Sequence, residues 1–296
     1  MGIGVETLRL LTNLRKEGHL RRRMAIVEIG AQQLAASFLQ RDMLTRLGYM
    51  YGIDTEPPIL SGREVRLVHG DIEHLERDAQ PARDFWNWIG YEYASIDIDG
   101  TPGSIPLDLN VDAVPEDWVG RFDLVTNFGT TEHVANQMNA FQIVHDLTAV
   151  DGIMVHALPA QGMMNHGLIN YNFKFFWMLA RSNGYAFVYA DFTGGQSFGL
   201  PDNVVDFLGR YNTAPDKIGL QSKVVDGGLT VVMKKLYDIP YVPPLDVPSG
   251  AAADDPDLAK RYWTVFDPEA FKPYEEERQA RLARRLPGAR RLRAAE

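Results

Sequence analysis

Residues 24–32 read Met24-Ala25-Ile26-Val27-Glu28-Ile29-Gly30-Ala31-Gln32, an apolar run that contains one carboxylate and stops at a glycine. Such a run is typical of a strand buried on both faces of a parallel sheet. Gly30 allows a sharp turn and a close approach of the backbone to a ligand, and a helix predicted from about residue 32 to 47 would point its N-terminus at the same ligand. The stretch therefore predicts the first strand and the ligand-binding turn of a nucleotide-binding α/β domain.

The composition indicates a globular protein without cysteine chemistry. The chain has 296 residues, of which 45% are hydrophobic, and it contains no cysteine, which excludes disulfides, thiolate metal sites and cysteine nucleophiles. The net charge of −9 disfavours nonspecific binding to nucleic acid, and no stretch reaches the roughly 20 apolar residues that span a bilayer. The first residues also lack the apolar core of a signal peptide. We therefore expect a cytoplasmic protein with a small-molecule substrate and no nucleic-acid or membrane partner; a homo-oligomer is compatible with the sequence.

Strand-like and helix-like segments alternate after the opening strand. Predicted strands end at about residues 97, 107, 127, 158, 191 and 235, and predicted helices occupy about 82–90, 136–148 and 173–183. Alternation of this kind predicts an α/β fold with a doubly wound, mostly parallel sheet of the Rossmann-like type.

The remaining segments suggest the organisation of the chain. An amphipathic helix is predicted at 5–23, and the Pro- and Gly-punctuated stretch 48–80 is interpreted as an insertion or lid. These belong to a domain predicted at 1–236. Residues 237–296 are predicted to be a linker and an Arg-rich C-terminal extension, with a helix around 270–285 that covers the domain or a partner subunit.

Candidate cofactor residues cluster where strands end, because ligands of a doubly wound sheet lie outside the carboxyl ends of its strands. Asp97 suits ribose hydroxyls, since an ionised carboxylate accepts from two hydroxyls at once, and Asp108 could accept from an adenine amino group. Glu28 lies inside a strand, where an unpaired carboxylate is costly, so we expect it to serve the loop or the cofactor. The predicted cofactor-binding residues are Glu28, Gly30, Ala31, Gln32, Asp97, Asp108, Leu109 and Asn127.

The order of these segments resembles class I S-adenosylmethionine-dependent methyltransferases over about residues 24–236. The resemblance rests on the glycine loop at 27–31, the acids Asp97 and Asp108, and the fourth- and fifth-strand motifs at 122–134 and 152–159. Gly-Thr-Thr-Glu-His at 129–133 and Asn-His-Gly at 165–167 are also similar to uncharacterised bacterial methyltransferase-like proteins. The resemblance implies S-adenosylmethionine as cofactor and methyl transfer to a small molecule, for which a sugar or nucleotide-sugar is our suggestion.

Two features depart from the family pattern. Gln32 stands where a second glycine is usual, and Asp97 follows the loop by far more than the usual spacing of about 20 residues. Gln32 therefore favours one alternative, a methyltransferase-like binding protein without catalysis. The other alternative is an NAD-dependent oxidoreductase, although residues 30–35 lack the Gly-x-Gly-x-x-Gly spacing that such enzymes use for pyrophosphate.

Three histidines, His133, His156 and His166, follow strand ends, and an imidazole suits the removal of a proton from a hydroxyl or ammonium acceptor. For each histidine alone, a structural hydrogen bond is an equally good interpretation. We predict His133 or His166 as the catalytic base and Glu132 as a residue that orients a partner or binds the acceptor. The chain has no dense ligand spacing such as His-Glu-x-x-His, so no metal is predicted. The acceptor pocket is predicted to contain Asn165, Asn170, Tyr171 and Asn172.

Overall fold

A six-stranded sheet forms the centre of the protein. The computed structural model describes residues 2–34, 38–58, 80–161, 166–193, 227–248 and 250–285. The sheet consists of β1 Ala25–Ile29, β4 Glu92–Ile96, β5 Phe122–Phe128, β6 Thr148–Gln161, β7 Tyr185–Thr193 and β8 Gly227–Lys235, in the spatial order β4-β1-β5-β6-β8-β7. β4, β1, β5 and β6 are parallel, whereas β8 runs antiparallel to β6 and β7. The predicted doubly wound, mostly parallel α/β fold is confirmed.

Helices pack on both faces of this sheet. The helices of the described residues are α1 Val5–Lys16, α2 Phe38–Tyr51, α3 Ala82–Trp88, α4 Gln137–Leu147, α5 Phe173–Asn183, α6 Pro256–Arg261, α7 Trp263–Phe266 and α8 Lys272–Arg285. Asn136 and Asn172 cap α4 and α5 by accepting from the amides of Asn139 and Phe175, and Gly184 ends α5 with a left-handed φ of 61°. No helix in the described ranges is both long and apolar enough for a membrane crossing.

The segment after Gly30 differs from the expectation. Residues Gln33–Leu34 form β2, which pairs antiparallel with β3 Gln80–Pro81, and α2 begins only at Phe38. The carbonyl of Gln33 accepts from the amide of Ile3 at 2.8 Å, so backbone partners distant in sequence override helix propensity here. The predicted helix start at residue 32 is therefore wrong, and no helix N-terminus directly follows the glycine turn.

Two other predicted elements are shorter in the structure. The helix predicted at 5–23 ends at residue 16, before Gly18 with its φ of 82°. The strand predicted at 104–107 is reduced to one bridge between Ile96 and Ile105. Of the predicted insertion, residues 48–51 belong to α2, while residues 59–79 lie outside the described part of the chain.

Side chains of β1 alternate between two hydrophobic cores. Val27 and Ile29 face the core that includes α4 and α5, whereas Ile26 faces the core beneath α1, α2 and α3. On this second face α3 contributes Phe85 and Trp86, both fully buried, and burial of such a side chain contributes about 2 kcal/mol or more. Glu28 shares the face of Ile26 and so enters the core beside α3.

The segment after β8 packs on α4 and α5. The side chain of Asn183 donates to the carbonyl of Val242 and accepts from its amide, each at 2.8 Å, and Thr264 Oγ1 donates to the carbonyl of Ser182. Farther along, α8 contacts Asp151 through Arg281 at 3.1 Å. The predicted helix near 270–285 is confirmed and covers the domain, while the domain boundary at 236 stays a prediction.

Candidate active site

The turn after β1 lies beside the loop that follows β5, because the two strands are paired. Gly30 has a φ of 79°, and a Cβ on it would collide with Oγ1 of Thr130. Thr130 therefore packs closely against Gly30, and contact of Gly30 with a cofactor stays a prediction. Sequence reasoning missed Thr130, although it belongs to the Gly-Thr-Thr-Glu-His motif.

Gly30→Ala is expected to lower the free energy of unfolding by about 2–3 kcal/mol, because the new Cβ would combine a left-handed backbone with a collision. Gly100 is the matched control, since it has a φ of 80° and a Cβ on it would have nothing within 4 Å. Gly100→Ala should cost only about 1 kcal/mol. Urea unfolding of both variants checks this, and equal losses would show that Thr130 imposes no constraint.

The three amides of the turn donate to neighbouring protein groups. Gly30 donates to the carbonyl of Ile96 at 2.8 Å, and Ala31 donates to Oδ2 of Asp97 at 2.8 Å. Gln32 donates to Oε2 of Glu28 at 2.9 Å. These amides hold the turn in place and are not free to bind a phosphate group.

Glu28 is the buried anchor of the turn. Besides the amide of Gln32, its carboxylate accepts from Nε1 of Trp86 at 2.7 Å and from the hydroxyl of Tyr93 at 2.8 Å. Burial raises the pKa of Glu28 to about 7, against the lowering effect of these hydrogen bonds. The sequence left open whether Glu28 serves the loop or the cofactor, and these contacts favour support of the loop. Its partners Trp86 and Tyr93 were not predicted, because they are distant in sequence.

Gln32 folds its side chain back over the turn. Its Nε2 donates to the carbonyl of Gly30 at 3.0 Å and, over a longer distance of 3.5 Å, to Oγ1 of Thr130. Its Oε1 is buried and has no hydrogen-bond partner among the described residues. A buried acceptor without a donor is costly, so this amide oxygen is a candidate contact for a ligand that carries an N–H group.

Asp97 follows β4 and is half-buried beside the turn. Its Oδ2 accepts from Ala31, and its Oδ1 accepts from the amide of Asp99 at 3.2 Å. Each carboxylate oxygen can accept a second hydrogen bond, so two hydroxyl groups can still be bound. The next residue, Ile98, has 69% of its surface exposed and offers an apolar contact that sequence reasoning missed. Its signal was a β-branched residue set between acids at a strand end.

The segment around Asp108 lies beside the start of α4. Asp108 Oδ1 accepts from the amide and side chain of Asn110 at 2.8 and 3.1 Å, while Leu109 packs into the core. Asn110 in turn accepts from the side chain of Asn136 at 2.8 Å. Asp108 thus lies in the turn beside the start of α4, whereas the side chain of Leu109 is buried in the core.

Asn127 belongs to a buried network instead of an open site. Its Nδ2 donates to Thr131 Oγ1 at 2.8 Å and lies 3.2 Å from Nδ1 of His156. Burial lowers the pKa of His156 to about 3, so this imidazole is neutral at physiological pH and structural. Asn127 was predicted to contact the cofactor; it instead supports the loop that carries Thr131.

Glu132, His133 and His166 come together at the end of this loop, and their catalytic roles stay a prediction. Oε1 of Glu132 lies 3.4 Å from Nε2 of His166 and 3.9 Å from Nε2 of His133. The side chains of His166 and His133 are 39% and 51% exposed respectively, whereas the side chain of Glu132 is fully buried. An exposed pair of imidazoles backed by a carboxylate can accept a proton or bind a cation.

The predicted acceptor-pocket residues have other positions. Asn165 lies outside the described residues, and the side chain of Asn172 caps α5. Asn170 is exposed. Tyr171 is buried, where its hydroxyl donates to Thr131 Oγ1 at 2.9 Å. Tyr171 thus supports the loop that carries Glu132 instead of lining an open pocket.

Comparison with known proteins gives low similarities. No family model and no curated protein matches the chain. A SAM-dependent methyltransferase from Archaeoglobus fulgidus is 10% identical, with 77% of this chain and 94% of that one covered and a TM-score of 0.36. The 1,6-didemethyltoxoflavin-N1-methyltransferase of Burkholderia thailandensis is 15% identical, with 77% of this chain and 78% of that one covered and a TM-score of 0.35. An S-adenosylmethionine-dependent methyltransferase from Mesorhizobium loti is 13% identical, with 74% of this chain and 94% of that one covered and a TM-score of 0.33. At such values the function has to be inferred from the site itself.

Proposed function

We propose that this protein is an S-adenosylmethionine-dependent methyltransferase that acts on a small molecule. The observation that carries the proposal is the polarity of the turn after β1. Its amides donate within the protein, while the carboxylate of Asp97 and the partnerless Oε1 of Gln32 remain as acceptors among the described residues. S-adenosylmethionine carries ribose hydroxyls, an ammonium group and a positive sulfonium, which are complementary to acceptors.

The same polarity disfavours the NAD-dependent alternative. A dinucleotide pyrophosphate is bound by free backbone amides and by a helix N-terminus directly after the glycine turn. Here the amides of residues 30–32 already donate to protein groups, and residues 33–34 directly after the turn form β2 instead of a helix. The turn therefore offers little to an anionic group.

The cofactor would be held by residues from two strand ends. Asp97 would accept from ribose hydroxyls, Gln32 Oε1 from the ammonium group, and Ile98 would contact the adenine ring. Asp108 stays a predicted contact of the adenine amino group. When bound, the cofactor supplies a methyl group activated by its sulfonium.

The acceptor would bind near Glu132, His133 and His166. An imidazole of His133 or His166 would take a proton from the acceptor, and the carboxylate of Glu132 would stabilise the resulting imidazolium. Methyl transfer is an in-line displacement, so correct placement of the acceptor provides much of the rate enhancement. A sugar or nucleotide-sugar acceptor remains a suggestion from the sequence.

Calorimetry with S-adenosylmethionine, S-adenosylhomocysteine and NAD tests the proposal. We expect saturable binding of the first two and none of NAD. Binding of NAD alone would overturn the methyltransferase proposal. Binding of S-adenosylmethionine without methyl transfer to any component of a small-molecule extract would favour the non-catalytic alternative instead.

Replacement of the exposed imidazoles is expected to separate catalysis from cofactor binding. His133→Ala or His166→Ala should lower methyl transfer at least 100-fold, the usual contribution of a general base, with the cofactor dissociation constant changed by less than about threefold. Transfer of labelled methyl from the cofactor to a small-molecule extract measures the first effect, and calorimetry the second. His19→Ala is the control, because His19 is a partly exposed histidine beside Glu17. Unchanged transfer in both site variants would remove the histidines from the mechanism.

A further inference from the structure

Glu132 is a buried carboxylate whose side-chain oxygens lack a hydrogen-bond partner in the described part of the chain. The residue is 0% exposed, and neither Oε1 nor Oε2 accepts a hydrogen bond there. An uncompensated buried carboxylate costs several kcal/mol, so such groups are usually paired or bound to a metal. Glu28 shows the usual solution within the same protein, since three donors surround its carboxylate.

Two imidazole nitrogens lie close to the Glu132 carboxylate. Nε2 of His166 lies 3.4 Å from Oε1 and Nε2 of His133 lies 3.9 Å from it, and one ligand atom from each residue can be chosen so that all three lie within 4.8 Å of one another. Ligand atoms about 2.0–2.1 Å from a shared tetrahedral ion lie about 3.3 Å apart. The His166–Glu132 distance already fits this value. Rotation of the exposed His133 side chain would bring its Nε2 equally close to Glu132 Oε1.

The backbone holds these ligands in place. The carbonyl of Glu132 accepts from the amides of Leu168 and Ile169 at 2.7 and 3.1 Å, which docks the His166 loop onto the Glu132 loop. Between them, a Cβ on Gly167 would lie 2.8 Å from Cγ of Glu132. These backbone hydrogen bonds therefore hold the two loops close together and place His166 beside the carboxylate.

We propose that Glu132, His133 and His166 bind a divalent transition-metal ion. Two imidazoles and one carboxylate form a donor set typical of zinc and other first-row metals, whereas Mg²⁺ and Ca²⁺ prefer oxygen ligands. Absence of a dense spacing motif predicted no metal, but Glu132 and His133 are adjacent in sequence and His166 comes from another loop. The fold, not the spacing, assembles this ligand set.

Three protein ligands leave coordination positions open on the ion. Since the histidines are exposed, an acceptor oxygen or nitrogen could occupy one of them, and a metal-bound hydroxyl loses its proton more readily than a free one. This role, which rests on the proposed function, would replace a free imidazole base, and the acceptor's proton would pass to solvent water, to which the two histidines are exposed. Metal binding itself does not depend on the proposed function.

Cobalt(II) is a suitable probe, because its visible absorption reports the coordination of nitrogen and oxygen ligands. Titration of the metal-free protein should saturate at one equivalent. Glu132→Gln and His166→Ala should each weaken binding at least 10-fold, while the control His19→Ala should change it by less than about twofold. Equal affinity in all four proteins, or no saturable binding up to millimolar cobalt, would overturn the proposal.

Thermal unfolding separates loss of the site from loss of the fold. Without metal, Glu132→Gln removes an uncompensated buried charge and should unfold at the same temperature as the natural protein or higher. Added zinc should raise the unfolding temperature of the natural protein and not that of the variant, because a ligand stabilises only the state that binds it. A zinc shift of equal size in both proteins would place the ion elsewhere and overturn the proposal.

Cofactor calorimetry keeps this proposal distinct from the proposed function. Binding of S-adenosylmethionine without site-dependent cobalt binding would overturn the metal site and leave the methyltransferase proposal intact. Cobalt binding that depends on Glu132, in a protein that binds no S-adenosylmethionine, would support the metal site and overturn the methyltransferase proposal.

Discussion

Glu28→Ala is expected to lower the free energy of unfolding by about 4–5 kcal/mol. The substitution leaves Nε1 of Trp86, the hydroxyl of Tyr93 and the amide of Gln32 without their acceptor, and each buried unsatisfied donor costs about 1–3 kcal/mol. Urea unfolding followed by circular dichroism measures the loss.

Glu92→Ala is the matched control for this experiment. Glu92 lies on the neighbouring strand β4, but its carboxylate is exposed and pairs only with Arg121 at the surface among the described residues. Exposed pairs of this kind contribute about 1 kcal/mol or less, so this variant should be almost as stable as the natural protein. A loss of similar size in the two variants would contradict the anchoring role of Glu28.

Glu28 also gives stability a characteristic pH dependence. Burial raises its pKa to about 7 from the ordinary 4.5, so between these values the folded state binds more protons than the unfolded state. Stability from this group is therefore greatest below pH 4.5 and falls as pH rises to about 7, by about 3 kcal/mol in total. His145 and His156 act in the opposite direction, because burial lowers the pKa of each to about 3.

Glu28→Gln isolates the contribution of this carboxyl group, since the amide does not titrate while both histidines remain. The difference in unfolding free energy between the natural protein and Glu28→Gln should shift in favour of the variant as pH rises from 4.5 to 7. A difference that stays constant over this range would show that Glu28 titrates normally.

Asp97→Ala is expected to weaken S-adenosylmethionine binding about 100-fold. Loss of an ionised acceptor removes hydrogen bonds to ligand hydroxyls that contribute about 1.5–3 kcal/mol each. The substitution also frees the amide of Ala31, which now donates to Asp97 at 2.8 Å. Asp97→Asn keeps an acceptor for Ala31 and should therefore lose less affinity than Asp97→Ala.

Asp99→Ala serves as the control for cofactor binding. Asp99 is exposed and accepts from Thr101 within its own turn, and its side chain also interacts with Asp97, so this variant tests how far the neighbouring charge contributes. Calorimetry should give Asp99→Ala a dissociation constant for S-adenosylmethionine within about threefold of that of the natural protein. Equal losses at both aspartates would indicate that the whole turn, and not Asp97, determines affinity.

Local sequence signals predicted the frame of the fold. The aliphatic run of β1, the strand ends that carry Asp97 and Asn127, and α5 with its closing Gly184 all depend on residues near one another in the chain. Glu28 was also identified locally, because a carboxylate in a buried strand needs partners. These features were correct for the physical reasons that predicted them.

Long-range contacts explain what the sequence did not predict. β2 replaces a predicted helical turn because Gln33 is paired with β3 and bonded to Ile3. Asn127 looked like a ligand contact but is occupied by Thr131 and His156. Such partners lie far apart in the chain or depend on the loop geometry, so periodicity and spacing carry no information about them.

The segment that follows β8 has a consequence for folding during translation. The carbonyl of Ile239 accepts from Nε2 of buried His145 at 2.8 Å, so Nδ1 of that ring must accept from the hydroxyl of Tyr185. A nascent chain that has released β8 can complete its sheet but still lacks this carbonyl and the Val242 partners of Asn183. His145 on α4 and Asn183 on α5 would therefore stay without these partners until the residues after β8 have been synthesised.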